Sequence, residues 1–120
     1  MSVDEGLYAW TQEALEPLGA VTMRKMMGGA TLYLDGTVFA IMDEGELWFK
    51  ADAETNAEWD AAGCERFSVT FKDGRVDTMN YRRALADVYD DADAMQRWAR
   101  LALEAGIRGA AKRKPRSKRR

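Results

Sequence analysis

The chain has no histidine and one cysteine, Cys64, among its 120 residues. Without imidazole it lacks the commonest general base and the commonest metal ligand. Without a second thiol it can close no intrachain disulfide and assemble no thiolate cluster. No apolar run approaches the length that spans a bilayer. The opening stretch MSVDEG is acidic, unlike the basic and apolar start of a secretory signal. These absences predict a cytoplasmic protein with no cofactor, no metal and no membrane partner, and they point away from an enzyme.

What is present fits one folded domain. Its 47% hydrophobic and 10% aromatic content suits a soluble core rather than a disordered chain, and the length suffices for a core without staples. The net charge of −2 conceals an asymmetry. Eight of the 18 basic residues (Arg108, Lys112, Arg113, Lys114, Arg116, Lys118, Arg119 and Arg120) lie in the last stretch, which has no acid, so 10 basic residues face all 20 acidic ones in the rest. The expected division is a domain over 1–107 and a basic, disordered tail over 108–120.

Apolar spacing predicts the elements. Ser2 and Glu5 form an S-x-x-E capping box ahead of Leu7, Trp10, Ala14, Leu15 and Leu18, which recur at helical spacing. Val21 to Met27 reads as a strand. Ala30 to Leu34 and Thr37 to Met42 flank Asp35-Gly36, a pair suited to a type I′ hairpin turn because both residues need positive φ. Leu47 to Lys50 continues the meander. A short helix capped by Asp52 or Thr55 and stopped by Gly63 follows. Phe67, Val69 and Phe71 alternate with polar residues as a half-buried strand, and Asp73-Gly74 turns it into Val76 to Arg82. A short piece at Leu85 to Tyr89 leads to a final helix with Met95, Trp98, Ala99, Ala102 and Leu103 on its apolar stripe. Hairpins without crossovers predict a two-layer α+β domain, an antiparallel sheet of about five or six strands flanked by helices in the order α-β-β-β-α-β-β-α, with a fourth strand in the first meander as the variant.

Few residues suggest chemistry. Gly28-Gly29 lies between two strand-like runs with no GK[ST] behind it, so a backbone bend fits better than a phosphate loop. Cys64 follows a helix exit, where the dipole raises a thiol pKa, and reads as structural. Arg82-Arg83 reads as pairing with the acidic body, with an anion site as the lesser reading. Trp48 should point away from the sheet face shared by Leu47 and Phe49. With helices on that face, Trp48 would stand exposed beside Tyr81 as a partner surface.

Several spaced positions resemble the N-terminal domain of the TfoX (Sxy) family. The family pattern R-x-M-F-G-G-x-G-x-Y-x-D-G-x-x-F-A is met by Arg24, Met26, Gly28, Gly29, Tyr33, Asp35, Gly36, Phe39 and Ala40, and L-Y-x-K-x-D by Leu47, Lys50 and Asp52. Met27 replaces a usual Phe, Thr31 a usual Gly and Trp48 a usual Tyr. TMNYRR is similar to the family's M-S-Y-W segment, with Asn80 and Arg82 departing, and WARLALEAG is similar to its closing helix. The resemblance covers 4–106 and implies a secretion-chaperone-like sheet and helices, frequent dimers, and a role in competence-gene transcription through protein partners. It supplies no catalytic residues. The family's regulators carry a further helical domain, so this chain reads as a stand-alone N-terminal module.

Two functions from different classes follow. One is a regulatory module that binds a protein, with a homodimer among the candidates. The other is a nucleic-acid-associated protein whose tail contacts phosphates without reading sequence. With all eight basic residues engaged on a duplex, log affinity against log salt would slope at about −7.

Overall fold

The computed structural model describes residues 4–26 and 28–113. Helix α1, Glu5–Leu15, starts at Asp4, whose carboxylate accepts the Leu7 N–H at 3.0 Å. Asp4 thus provides the cap expected of Ser2, which lies outside the described residues. Strands β1 (Val21–Met26), β2 (Gly29–Leu34), β3 (Thr37–Asp43) and β4 (Glu46–Lys50) then form an antiparallel meander. The meander therefore has four strands, the variant that includes Leu47 to Lys50 as the fourth.

Helix α2, Asn56–Ala61, intervenes before β5 (Arg66–Thr70) and β6 (Val76–Arg83), and a 3-10 turn at Ala86–Tyr89 leads into helix α3, Ala92–Arg113. The sheet order is β1-β2-β3-β4-β6-β5, with every pairing antiparallel. β6 pairs with β4 only through Arg83, Arg82 and Tyr81, so most of the β5–β6 hairpin extends past the meander as an arm.

One face of the sheet carries the core. Leu32, Leu34, Ala40, Met42, Leu47 and Phe49 are buried against Leu15, Met95, Ala99 and Ala102 of the helices. The register shift opposite Leu32 and Tyr33 lets the adjacent Phe39 and Ala40 both enter this core, which strict alternation would forbid. Aromatic rings extend it outward: Phe49 stacks on Trp59 at 5.7 Å and Trp59 lies 4.9 Å from Trp98.

Both residues of the Asp35-Gly36 turn have positive φ, 47° and 85°, as a type I′ hairpin requires. Asp35 also accepts the Ala20 N–H at 2.9 Å, fastening the turn to the connection between α1 and β1. Gly28 has φ of 84°. Gly29 has a different reason to be glycine: a Cβ there would overlap the Met42 carbonyl oxygen. The bend expected of the pair is present, and each glycine serves it through a separate constraint.

The last helix runs past the predicted Ile107 boundary. Its residues 108–113 are helical, and Arg108 grips the domain. Arg108, Lys112 and Arg113 therefore belong to α3 rather than to a disordered tail. The expectation for Lys114, Arg116, Lys118, Arg119 and Arg120 falls outside the described residues.

Candidate functional site

The helix-free face of the sheet is partly roofed by its own arm. Met26, Thr31, Ile41 and Asp43 of the meander and Phe67, Val69, Met79 and Tyr81 of the hairpin line one cleft of about 470 Å³. β1 and β5 are opposite edges of the sheet, so a cleft shared by their side chains means that the sheet curls strongly toward this face.

That curl corrects the expectation for Trp48. Its side chain does point away from the helices, but it is only 6% exposed. Phe67 meets it edge-on with centroids 4.9 Å apart, and the Arg83 guanidinium lies 4.8 Å over its ring. Arg83 is held in turn by Glu46 at 3.2 Å and Glu65 at 3.4 Å. Trp48 is the floor of this face rather than its contact surface. Among the described residues, the exposed large apolar side chains that line this cleft are Met26 at 47% and Met79 at 44%, where Trp48 and Tyr81 were the expected partner contacts. Tyr81 does line the cleft. The alternation of β6 placed Met79 beside Tyr81 on this face, and that signal would have found it.

Arg82 and Arg83 separate, as neighbours in a strand must. Arg82 turns to the helix side and is 2% exposed. It donates to Asp60 at 2.7 Å, to the Cys64 carbonyl at 3.0 Å and to Asn56 at 3.1 Å. The pairing with the acidic body expected of both arginines is present. Cys64 is buried, and desolvation pushes its thiol pKa up, partly opposed by the Arg82 charge, which agrees with a structural cysteine.

Arg108 joins α3 to the loop after β4. Its Nε donates to Asp52 Oδ2 at 2.7 Å and Nη2 to Oδ1 at 3.1 Å, a two-point fork. Asp52 Oδ1 also accepts the N–H groups of Glu54 and Thr55, each at 3.1 Å. The Arg108 hydrogen bond is the main reason the Asp52 carboxyl titrates below its usual range, against a smaller opposing effect of burial. A carboxylate with a depressed folded pKa contributes stability that is complete above its unfolded pKa and is lost as pH falls through the folded value. The expected result is that Asp52→Asn lowers the melting temperature at neutral pH, and that the gap from wild type closes at acid pH. Thermal melts between pH 7 and pH 2 test it; a gap independent of pH would show that the pair contributes nothing through its charge.

These features define a two-layer α+β domain, with helices on one sheet face and an apolar cleft under a curled hairpin on the other. No helix among the described residues is long and apolar enough to cross a membrane. The chain belongs to the TfoX N-terminal domain family, whose pattern matches residues 13–106. It is 29% identical over 108 residues to Protein Sxy of Escherichia coli strain K12, covering 90% of this chain and 51% of that protein. It is 31% identical over 67 residues to DNA transformation protein TfoX1 of Aliivibrio fischeri, covering 56% of this chain and 32% of that protein. The chain thus spans about half the length of the first relative and about a third of the second.

Proposed function

We infer that this is a non-enzymatic TfoX-like regulatory module that works in the cytoplasm by binding a protein partner across the cleft face, in competence-type transcriptional control. The observation that carries this reading is the apolar surface left uncovered around the cleft, where Met26 and Met79 are nearly half exposed. Such side chains in a concave, mostly apolar site favour a partner, and methionine adapts to its shape. The name of the Aliivibrio relative, a DNA transformation protein, supports the regulatory setting.

Capture from the native lysate on immobilised full-length chain, compared between wild type and Met79→Asp, tests the reading. A carboxylate placed in the apolar interface is expected to remove the captured partner while leaving the melting temperature within a few degrees, because Met79 is exposed. Light scattering identifies a second copy as the partner if the mass doubles. No specific capture together with a monomeric mass would overturn the reading.

A second reading rests on the charge asymmetry, in which the basic segment contacts nucleic-acid phosphates. Arg108 is engaged by Asp52, so at most seven of the eight basic residues can contact phosphates. The expected salt slope on random duplex DNA is then about −6 rather than −7. Charge-removing substitutions from Lys112 onward are the suitable control, because ending the chain at Ile107 would also remove the Arg108 clamp. A salt-independent or absent interaction would exclude this reading.

A further inference from the structure

The cleft on the helix-free face has one charged side chain in its lining. The surface is apolar from Met26 and Ile41 of the meander to Phe67, Val69 and Met79 of the arm, and Asp43 adds a single carboxylate. Among the described residues the lining holds no lysine or arginine.

Strand geometry leaves Asp43 open. Ile41 and Asp43 are alternate residues of β3, so both take the cleft face. The partner of Asp43 on β2 is Gly29, which has no side chain to cover it. Its partner on β4 is Glu46, a like charge directly opposite, an arrangement that costs stability. Glu46 is compensated by Arg83 at 3.2 Å, whereas Asp43 makes no ion pair or side-chain hydrogen bond among the described residues. The other cations on this face lie outside the lining. Arg83 is held by Glu46 and Glu65, and Lys50 lies over the Tyr81 ring. Arg24, opposite Thr31, is exposed on the edge strand, and Asp77, opposite Val69, is exposed on the arm, one charge of each sign.

An occupant that fills the apolar part of the cleft also covers this carboxylate. Taking a carboxylate out of water without a counter-charge is strongly unfavourable, whereas an ammonium or guanidinium brought by the occupant compensates it. The cleft therefore discriminates against wholly apolar and acidic occupants. We propose that the partner enters the cleft with an apolar peptide segment carrying one lysine or arginine, whose charge meets Asp43. The volume of about 470 Å³ admits several side chains of such a segment. The proposal rests on the cleft being the partner site and adds the chemistry the partner presents there.

Selection of a random peptide library displayed on phage against the immobilised full chain tests it, with Asp43→Lys, Asp43→Asn and Met79→Asp run in parallel. Peptides retained by wild type are expected to be apolar with a lysine or arginine at one position, and Asp43→Lys is expected to reverse that preference to aspartate or glutamate. Replacing the basic residue of a selected peptide by glutamine should weaken binding to wild type about tenfold or more, as for the loss of one charged hydrogen bond, and leave binding to Asp43→Asn unchanged. Asp43→Asn should melt no lower than wild type, because it removes the repulsion with Glu46, and so keeps the test decisive if Asp43→Lys is unstable. Peptides lost in Met79→Asp that show no basic preference, or the same preference on Asp43→Lys, would overturn the proposal and leave the cleft as the partner site. A doubled mass in light scattering that Asp43→Lys abolishes would put a second copy in the cleft and overturn it too. Peptides indifferent to every substitution, or none selected, would remove the cleft reading as well.

Discussion

Replacing Gly29 with alanine is expected to lower the unfolding free energy by about 3 kcal/mol, while Gly28→Ala costs about 1 kcal/mol. The two neighbours differ in mechanism. Gly28 has φ of 84°, and an added Cβ would meet only the Asp43 carboxylate at 3.9 Å, so alanine there incurs conformational strain and little else. At Gly29 the obstacle is the Met42 carbonyl oxygen, a backbone atom held by the β2–β3 ladder. It cannot move aside without breaking the pairing of Gly29 with Asp43 and Ala30 with Met42. Urea unfolding of both variants checks the prediction. Equal losses would mean that the Met42 carbonyl yields to an added methyl, so that close approach is not what requires glycine at position 29.

The second large effect is expected at Arg82. Arg82→Ala should destabilise the chain by about 3 kcal/mol, in the range for breaking a buried charge network. The guanidinium ties β6 to α2 and to the Cys64 carbonyl, and its removal leaves that buried carbonyl and the half-buried Asn56 amide oxygen without their donor. Arg82→Lys should recover only part of the loss, because an ammonium on a flexible stem cannot reproduce the planar fork. Asp60→Asn should cost less than about 1 kcal/mol, since the Asp60 side chain is largely exposed. Equilibrium unfolding of the three variants separates the possibilities. A loss in Asp60→Asn as large as in Arg82→Ala would place the energy in the ion pair instead of the network.

Much of the architecture was legible because the signals are local. The Asp35-Gly36 hairpin, the helix stop at Gly63 and the final helix follow from turn chemistry and apolar spacing, and these survive in the fold. The two-sided nature of β4 was legible too: Leu47 and Phe49 face the helices, and Trp48 points away. Its burial was not. What covers Trp48 is Phe67, 19 positions further along the chain, which reaches it because the sheet curls and the hairpin arm closes over that face. No local period encodes that curl.

The end of α3 shows the same division. Composition placed the boundary at Ile107 because charged residues without apolar spacing read as unstructured. Helix continues there because Arg108 finds Asp52, 56 positions earlier, and a fork of two hydrogen bonds holds that turn against the domain.

The sequence by itself determined which segments become helix or strand, which strand faces are apolar, and how charge divides along the chain, since these depend on neighbours a few residues apart. Only the tertiary structure decided which apolar residues stay exposed, which arginine is buried, and that Asp43 shares one cleft with Met26 and Met79. Those outcomes depend on sheet order and curl, where groups distant in the chain meet through backbone geometry.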